Sequence, residues 1–316
     1  MTTRQIAAVV LSMFFAVPAL AQSWSPPSPA ERCPSKWGAE DRLGSVNHAT
    51  AANVQRAARL IRSGQKVELG HKLEMDMPFF GTRRFDVHLK RTGGPMGSNK
   101  RYTNEELVIT EIGQVGTQMD AFTHQSIDGL FYNCVRTEDI ATRNGFTAMG
   151  IDQLGTLITR GVLIDIAALK GVDVLPSDYE ITVADLQAAL RRQGVSIQPG
   201  DAVLIRTGWS KHWGNDNARY VSNCPGLGIA AAQWLLGRDV MLLGSDNWPV
   251  EIAPNPDKSL SLPVHQLALV VHGVHLIENM KLDELAAKQV YEFAFIVQPI
   301  RVKGGTGSAV APVAVL

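Results

Sequence analysis

The chain has no surplus of charge of either sign, with 30 basic and 30 acidic residues and a formal net charge of zero. A nucleic-acid or anionic-membrane partner needs a basic surplus, so the composition argues against both. Only three cysteines occur, Cys33, Cys134 and Cys224. None of them forms a Cys-x-x-Cys motif, which argues against a structural zinc knuckle and a redox motif. One disulfide can form, and the sequence leaves its pair open.

Beyond the first residues, the sequence lacks an apolar run long enough to span a bilayer. The opening stretch MTTRQIAAVVLSMFFAVPALAQ has an early positive charge, Arg4, then an apolar run, then the small-x-small site Ala19-Leu20-Ala21. The apolar run is shorter than the ~20 residues of a membrane span. The pattern predicts a secretory signal peptide over residues 1–21, followed by one domain over residues 22–316. We therefore expect a periplasmic or secreted protein with no membrane association after cleavage.

The second half of the chain alternates apolar strands with helices. GVLIDIAAL and AVLIRTGW are predicted strands, and ITVADLQAALRRQG is a predicted helix that begins at a Thr cap and ends at Gly194. YEFAFIVQPI is predicted to be the last strand. The segment from Met77 to Asn104 is rich in Gly, Pro and Arg and predicts a long loop. This alternation without a linker predicts a single α/β domain with a largely buried sheet.

The stretch GTQMDAFTH and the glutamine just before it carry an unusual set of polar groups. Gln114, Gln118, Asp120 and His124 follow one another at spacings of four, two and four residues. A carboxylate, an imidazole and amide oxygens could hold a divalent metal ion. The alternative is a polar turn whose side chains bond to the backbone. Carboxamides are uncommon and weak ligands, so the residue types alone favour the turn.

Two further stretches place polar groups beside apolar strands. In LPVHQLALVVHGVHLIENMKLDEL, His265 lies near a predicted helix start and Glu278 lies in the following strand. A carboxylate between apolar residues is costly to bury unless it is paired or binds a metal. In LLGSDNWPVEIAPNP, Asp246 and Glu251 follow a buried strand, with Trp248 between them. Asp246 either positions a ligand or holds a backbone turn.

Together these stretches resemble the metal-dependent cyclase-like hydrolase family, which includes bacterial kynurenine formamidases and isatin hydrolases. The family motif is His-x-Gly-Thr-His-x-Asp-x-Pro-x-His, and the aligned residues here are QVGTQMDAFTH. Gln114 and Gln118 stand where the family has its two metal-binding histidines, and Phe122 stands where it has proline. The motif positions that match are Gly116, Thr117, Asp120 and His124. WGAEDRLGSVNHAT, PGDAVLIRTGW and GSDNWPVE are also similar, so the resemblance covers about the whole mature chain.

The resemblance implies a swivelling β/α/β architecture, α/β in class, with a mixed sheet in a single domain that assembles as a dimer or tetramer. It implies that His124 acts as general acid or base. In the family a divalent metal activates water for attack on an amide or lactone carbonyl. Amide oxygen is harder and weaker than imidazole, so Mn²⁺ competes better with Zn²⁺, and Mg²⁺ or Ca²⁺ come into range. The implied metal ligands are Asp120, Gln118, Gln114, His265 and Glu278.

We therefore expect a metal-dependent hydrolase, an arylformamidase-like amidase or lactonase, that acts on a small molecule. Its target would be the C–N or C–O bond of a cyclic amide, a lactone or an N-acyl aromatic compound. Phe122, Asp246 and Trp248 lie in or next to the proposed loops and are expected to contact the substrate. The alternative is a periplasmic small-molecule binding protein derived from the family without catalysis. His124 favours the enzyme, whereas the two glutamines favour the binding protein.

Overall fold

The structure is a computed structural model that describes residues 24–91 and 93–316. The predicted signal peptide, residues 1–21, lies outside the described residues. The helices are α1 (Pro29–Arg32), α2 (Ala51–Ala58), α3 (Thr137–Ile140), α4 (Ile166–Lys170), α5 (Val183–Gln193), α6 (Asn217–Tyr220), α7 (Ile229–Leu236), α8 (Pro263–His265) and α9 (Asp283–Ala287). A π-helical segment, Gln266–His272, continues α8. The strands are β1 (Lys66–Glu68), β2 (Phe85–Arg91), β3 (Asn104–Thr110), β4 (Gln118–Asp120), β5 (Ala141–Thr142), β6 (Gly145–Phe146), β7 (Leu157–Asp165), β8 (Glu180–Ile181), β9 (Ala202–Arg206), β10 (Gly226–Leu227), β11 (Leu242–Ser245), β12 (His275–Glu278), β13 (Glu292–Val297), β14 (Gly307–Ala309) and β15 (Val313–Val315).

A nine-stranded mixed sheet organises the domain, in the order β1-β15-β13-β7-β9-β11-β12-β4-β14. Its centre, β7, β9, β11 and β12, is parallel. On one side β13 pairs antiparallel with β7, and on the other β4 pairs antiparallel with β12. The carboxyl ends of parallel strands meet at one edge of a sheet, which is where such folds commonly place ligand sites. The single α/β domain with a mixed sheet that the sequence predicts is confirmed.

Apolar side chains cover both faces of the central strands. Along β7, Val162 and Ile164 pack into one hydrophobic cluster and Leu163 packs into another. Successive side chains of a strand point to opposite faces, so a continuous apolar run identifies a strand that is buried on both sides. Helices α5 and α7 pack on the first of these faces. This packing on both faces fixes the central strands, and with them the polar residues at their carboxyl ends.

The helix predicted from ITVADLQAALRRQG is confirmed as α5. The Thr182 hydroxyl accepts a hydrogen bond from the backbone N–H of Asp185 at 3.2 Å, and the Asp185 carboxylate accepts one from the Thr182 N–H at 3.0 Å. This reciprocal pair satisfies N–H groups that the first helical turn leaves free. The helix ends at Gly194, whose φ of 69° is in the left-handed region.

Three secondary-structure predictions were wrong. The second half of GVLIDIAAL is helix α4, because the Asp165 carboxylate accepts a hydrogen bond from the Ala168 N–H at 2.9 Å and caps a helix there. YEFAFIVQPI is not the last strand, since β14 and β15 follow it; each has only three residues, too few to give a clear pattern. The predicted loop between Met77 and Asn104 contains β2, which pairs with β3 along its whole length. Most residues of this hairpin are exposed, so it lacks the apolar alternation of a half-buried strand.

A disulfide joins Cys33 to Cys134 across a sequence separation of 101 residues. The structure thus decides which pair forms, a choice that the sequence left open. Cys224 is a buried free thiol. In the part of the chain that the structure describes, every helix is too short or too polar for a membrane span.

Candidate metal centre

The centre begins where β4 lies beside the end of β12. In this antiparallel pair Gln118 is directly opposite Glu278, and the Gln118 Nε2 donates a hydrogen bond to the Glu278 Oε2 at 2.7 Å. Alternation along β4 places Gln118 and Asp120 on the same side of the strand. The pairing of the two strands therefore brings three polar side chains to one place, although Glu278 is separated from Gln118 by 160 residues.

A short 3₁₀ turn, Phe122–His124, returns His124 to Asp120. The His124 N–H donates to the Ala121 carbonyl at 3.0 Å, which closes the turn. Gln114 lies between the two side chains: its Nε2 is 3.2 Å from the His124 Nδ1 and 3.3 Å from the Asp120 Oδ1. The turn and the amide together fix the imidazole beside the carboxylate.

His265 enters from the first turn of α8, between two carboxylates. Its Nδ1 is 2.8 Å from the Glu251 Oε1 and its Nε2 is 3.0 Å from the Glu278 Oε1. Glu251 also accepts the backbone N–H of Val264 at 3.0 Å and of His265 at 2.9 Å. The glutamate thus supplies acceptors for the N–H groups at the helix start and sets the direction of the His265 ring.

Asp120, His124 and His265 form a cluster whose ligand atoms all lie within 4.8 Å of one another. The Asp120 Oδ2 is buried, has no hydrogen-bond partner among the described residues, and lies 3.9 Å from the His265 Nε2. A buried carboxylate oxygen without a partner is costly, and a cation would satisfy it. Imidazole and carboxylate groups, here those of His265 and Asp120, are also donors that catalytic metal centres use. The residues present therefore fit a divalent metal ion.

The two glutamines use their amide groups to bind the carboxylates. Gln118 donates to Glu278, and also to the Gln114 Oε1 at 3.4 Å, while Gln114 donates to Asp120. In this arrangement the amide nitrogens face the carboxylates, and the Gln114 oxygen accepts from Gln118. The sequence predicts both glutamines as metal ligands; in the structure their amide nitrogens donate hydrogen bonds to the Asp120 and Glu278 carboxylates.

Burial sets the charge states of the cluster. Burial raises the pKa of Asp120 to about 6; the neighbouring His124 and His265 lower it and Glu278 raises it. Burial lowers the pKa of His124, which keeps the imidazole neutral near pH 7. Burial also acts to lower the pKa of His265, but the hydrogen bonds that His265 makes to the Glu251 and Glu278 carboxylates outweigh burial and hold that pKa well above its ordinary value. The carboxylates of Asp120, Glu251 and Glu278 thus lie around the imidazole of His265.

Two of the expected substrate contacts are buried side chains. Phe122 is 1% exposed and packs in the core, with its ring stacked on His275 at a centroid distance of 4.1 Å. Asp246 is fully buried and accepts hydrogen bonds from the Thr207 N–H and the Gly208 N–H, each at 2.8 Å. Burial raises the pKa of Asp246 to about 6. Asp246 thus holds a backbone turn, which is one of the two roles that the sequence allows for it.

Trp248 lines two cavities, one of which is also lined by Gln114, Gln118 and Glu278. Its ring stacks on Phe80 with centroids 4.6 Å apart, and Phe80 is 45% exposed. Behind this pair is a narrow cavity of about 20 Å³ that Gln114, Gln118 and Glu278 line, large enough for about one water molecule. In front of it is a wider pocket of about 420 Å³, also lined by Phe80 and Trp248. The stacked rings therefore separate an outer pocket from the polar centre.

Three supporting residues were absent from the predicted site. Glu251 orients His265, as described above. The His275 Nδ1 donates to the Asp120 carbonyl at 2.8 Å and so braces the metal-facing strand from behind. The Asn279 Nδ2 donates to the Gly116 carbonyl at 2.8 Å, and the Asn279 carbonyl accepts from the Thr117 hydroxyl at 2.6 Å. A signal existed for Glu251 alone: it is a carboxylate between apolar residues, in VEIA, which requires a partner when buried.

Known proteins share this fold. A family model named Cyclase matches residues 67–252. A solved structure described as a novel cyclase is 32% identical, with a TM-score of 0.82, and the match covers 89% of this chain and 96% of that one. Isatin hydrolase A from Ralstonia solanacearum is 25% identical, with a TM-score of 0.58 and coverage of 84% and 94%. An isatin hydrolase bound to the product analogue thioisatinate, 21% identical with a TM-score of 0.59, shares the fold. No curated protein matches the chain.

The chain belongs to the Cyclase family. The family resemblance inferred from the sequence motifs is thereby confirmed. Together with the cluster of Asp120, His124 and His265, the fold supports a metal-dependent hydrolase in general and a divalent metal ion as its cofactor.

Proposed function

We propose that the protein is a metal-dependent hydrolase that cleaves a C–N or C–O bond in a cyclic amide, a lactone or an N-acyl aromatic compound. The observation that carries the proposal is the unpaired, buried Asp120 Oδ2 beside His124 and His265. The similarity to an isatin hydrolase supports a flat cyclic or aromatic carbonyl substrate. The stacked Phe80 and Trp248 at the outer pocket also suit a flat ring.

Asp120, His265 and Glu278 would hold the ion. When bound, the metal would polarise the substrate carbonyl and acidify a water molecule. Mn²⁺ and Zn²⁺ suit imidazole and carboxylate donors, and Mg²⁺ or Ca²⁺ are the harder alternatives. Gln114 and Gln118 hold the carboxylates by donating to them, so these residues set the positions of the acids. Glu251 keeps the His265 Nε2 directed inward.

His124 is the residue that we propose to move the proton. Burial lowers its pKa, so near pH 7 the imidazole is neutral and can accept a proton from the attacking water and return it to the leaving group. Gln114 and the 3₁₀ turn fix the ring next to Asp120. A serine or cysteine nucleophile is unnecessary in this scheme, because water is the attacking group.

Kinetics and metal content of His124→Ala, measured together, test this role. The purified protein is assayed with Mn²⁺ and Zn²⁺ against formylkynurenine, isatin and dienelactones. We expect His124→Ala to lower kcat by ~10²–10⁴, which is the usual contribution of positioned acid–base catalysis. The variant should retain the metal. His88→Ala, an exposed histidine in β2, is the matched control and should behave as the parent. Loss of the metal in His124→Ala would assign this histidine to the ligand set and overturn the proton role.

A binding protein without catalysis is the second candidate, and one observation favours it. The amide groups of Gln114 and Gln118 already satisfy oxygens of Asp120 and Glu278, as they would in a site that has lost an ion. Metal analysis of protein purified without chelator separates the two functions. Bound metal with turnover supports the hydrolase, whereas absence of turnover with every metal supports the binding protein.

We also propose that the protein works in the periplasm or outside the cell and forms a dimer or tetramer. The Cys33–Cys134 disulfide supports the oxidising location, because such bonds persist mainly in exported proteins. The exposed apolar side chains of the β2–β3 hairpin support self-association; Leu89 is 71% exposed and Leu107 is 47% exposed. Light scattering measures the oligomeric state, and a monomer at micromolar concentration would refute the proposed dimer or tetramer.

A further inference from the structure

Another cavity, of about 360 Å³, shares no described lining residue with the outer pocket. We refer to it as the Arg32 cavity. Its walls come from the segment between Glu31 and Trp37, from the 3₁₀ turn Gly44–His48, from the end of α7, and from residues 271–274. Among the described residues, none lines both this cavity and the narrow cavity beside Gln114 and Glu278. It is therefore a separate site, independent of the proposed hydrolase activity.

The cavity contains a buried arginine without a partner. Arg32 is 7% exposed, and its Nε and one terminal nitrogen, Nη1, are buried without a hydrogen-bond partner among the described residues. A guanidinium stays charged in proteins, and a buried charge is costly unless it is paired. The fold nevertheless keeps this side chain at the wall of an open cavity. An anion bound in the cavity would pair with the Arg32 guanidinium and so explain why this charge is buried.

The acids around the Arg32 cavity have other partners. Glu31 accepts hydrogen bonds from the N–H and the hydroxyl of Ser28, each at 2.7 Å. Asp239 forms an ion pair with Lys36. The nearby carboxylates are thus engaged elsewhere, and the Arg32 charge remains for a ligand.

A second unpaired polar atom and an apolar surface complete the site. The His48 Nε2 is also buried without a partner, and burial lowers the pKa of His48, so the ring is neutral near pH 7. Trp37 lies edge-on to His48 with ring centroids 5.1 Å apart. Val271, which is only partly buried, and Val274 add an apolar surface to the wall. One unpaired positive charge next to such a surface suits a monoanion with an apolar body.

The surrounding chain holds Arg32 in place. Cys33 follows it directly and is joined to Cys134, and the Ser35 N–H donates to the Asn133 Oδ1 at 2.8 Å. These links tie the segment that carries Arg32 to the 3₁₀ turn Tyr132–Cys134. A donor held in this way loses little freedom when it binds a ligand.

We propose that the Arg32 cavity binds a small organic carboxylate, with the carboxylate on the Arg32 guanidinium and the apolar part of the ligand against Trp37 and the valines. The planar fork of arginine matches a carboxylate in two parallel hydrogen bonds. The cavity volume falls in the range of small-molecule sites, ~300–1,000 Å³.

Calorimetric titration with benzoate tests the proposal. A chelator is present so that no metal at Asp120 can bind the probe. The parent should bind benzoate, and Arg32→Gln should bind it about 10- to 100-fold more weakly, since a hydrogen bond to a charged group is lost. Arg59→Gln removes an exposed arginine of comparable size outside the cavity and should bind as the parent does. Benzamide, which has the same shape without the charge, should bind the parent more weakly than benzoate does.

Thermal unfolding provides a second measurement. Arg32→Gln removes an unpaired buried charge, so its Tm should be no lower than that of the parent. Benzoate should raise the Tm of the parent and of Arg59→Gln, and it should leave that of Arg32→Gln unchanged. Equal benzoate affinity in the parent and in Arg32→Gln would overturn the proposal, as would equal binding of benzamide and benzoate. The benzamide comparison uses the parent alone, so it decides the question even if the variant fails to fold.

Discussion

Replacing Glu251 by alanine should destabilise the protein strongly, although Glu251 lies outside the ligand set predicted from the sequence. Glu251 is fully buried and serves three donors: the N–H of Val264, the N–H of His265 and the His265 Nδ1. Alanine offers none of these acceptors. Removing one partner of a buried ionic pair costs about 3–5 kcal/mol of unfolding free energy. Glu251→Gln keeps one oxygen and should cost less, about 1–3 kcal/mol.

Urea unfolding of the metal-free protein measures this difference. A chelator in every sample keeps the metal from contributing to stability. Glu284→Ala is the matched control: Glu284 pairs with Lys288 across an exposed helix face at 3.7 Å, and such pairs contribute at most about 0.5 kcal/mol. If Glu251→Ala unfolds at the same urea concentration as Glu284→Ala, the assigned role of Glu251 is wrong.

The Gln variant then separates stability from metal binding. Glu251→Gln should weaken metal affinity about 10- to 100-fold, because the partner that orients a ligating histidine is altered. Metal affinity is measured by competition with a fluorescent chelator at a temperature where the variant is folded. Parent-like affinity in Glu251→Gln would show that His265 does not depend on this partner or does not bind the metal.

Three further predictions concern pH, the disulfide and the N-terminus. Burial raises the pKa of Asp120 from 3.8 to about 6. The folded protein therefore holds more protons than the unfolded chain in this window, and the stability that Asp120 contributes below pH ~4 is lost as the pH rises through ~6. Asp120→Asn should remove this part of the pH profile of urea unfolding, and an unchanged profile would contradict it. Replacing Cys33 and Cys134 together by serine should lower the unfolding free energy by about 2–5 kcal/mol, and unfolding with the parent's midpoint would argue against a stabilising bond. Mass spectrometry of exported protein should show a chain that starts close to Gln22, and a full-length chain in the membrane fraction would refute the signal peptide.

The sequence by itself determined the class of fold and the place of the polar groups along the chain. Apolar runs between capped helices predict an α/β domain, because periodicity and caps are local properties. The Thr182 cap and the Gly194 stop of α5 are read directly from neighbouring residues. The motif around Asp120 and the strand around Glu278 were identified in the same way. The resemblance to a known family agrees with the family match over residues 67–252, which includes Asp120, and with the solved cyclase structure, whose match covers 89% of this chain.

Only the tertiary structure decided which of these groups meet. Gln118 contacts Glu278 because β4 pairs with β12 in one register. His265 lies 13 residues before Glu278, and the turn between helix and strand brings the two side chains into contact. Phe122 points into the core because a 3₁₀ turn replaces extended chain after Asp120. The short strands β14 and β15 gain their order from pairing with β4, β1 and β13, which a sequence of three residues cannot encode. Long-range pairing, the Cys33–Cys134 bond and the unpaired Arg32 are properties of the assembled fold, since each depends on residues that are distant in the chain.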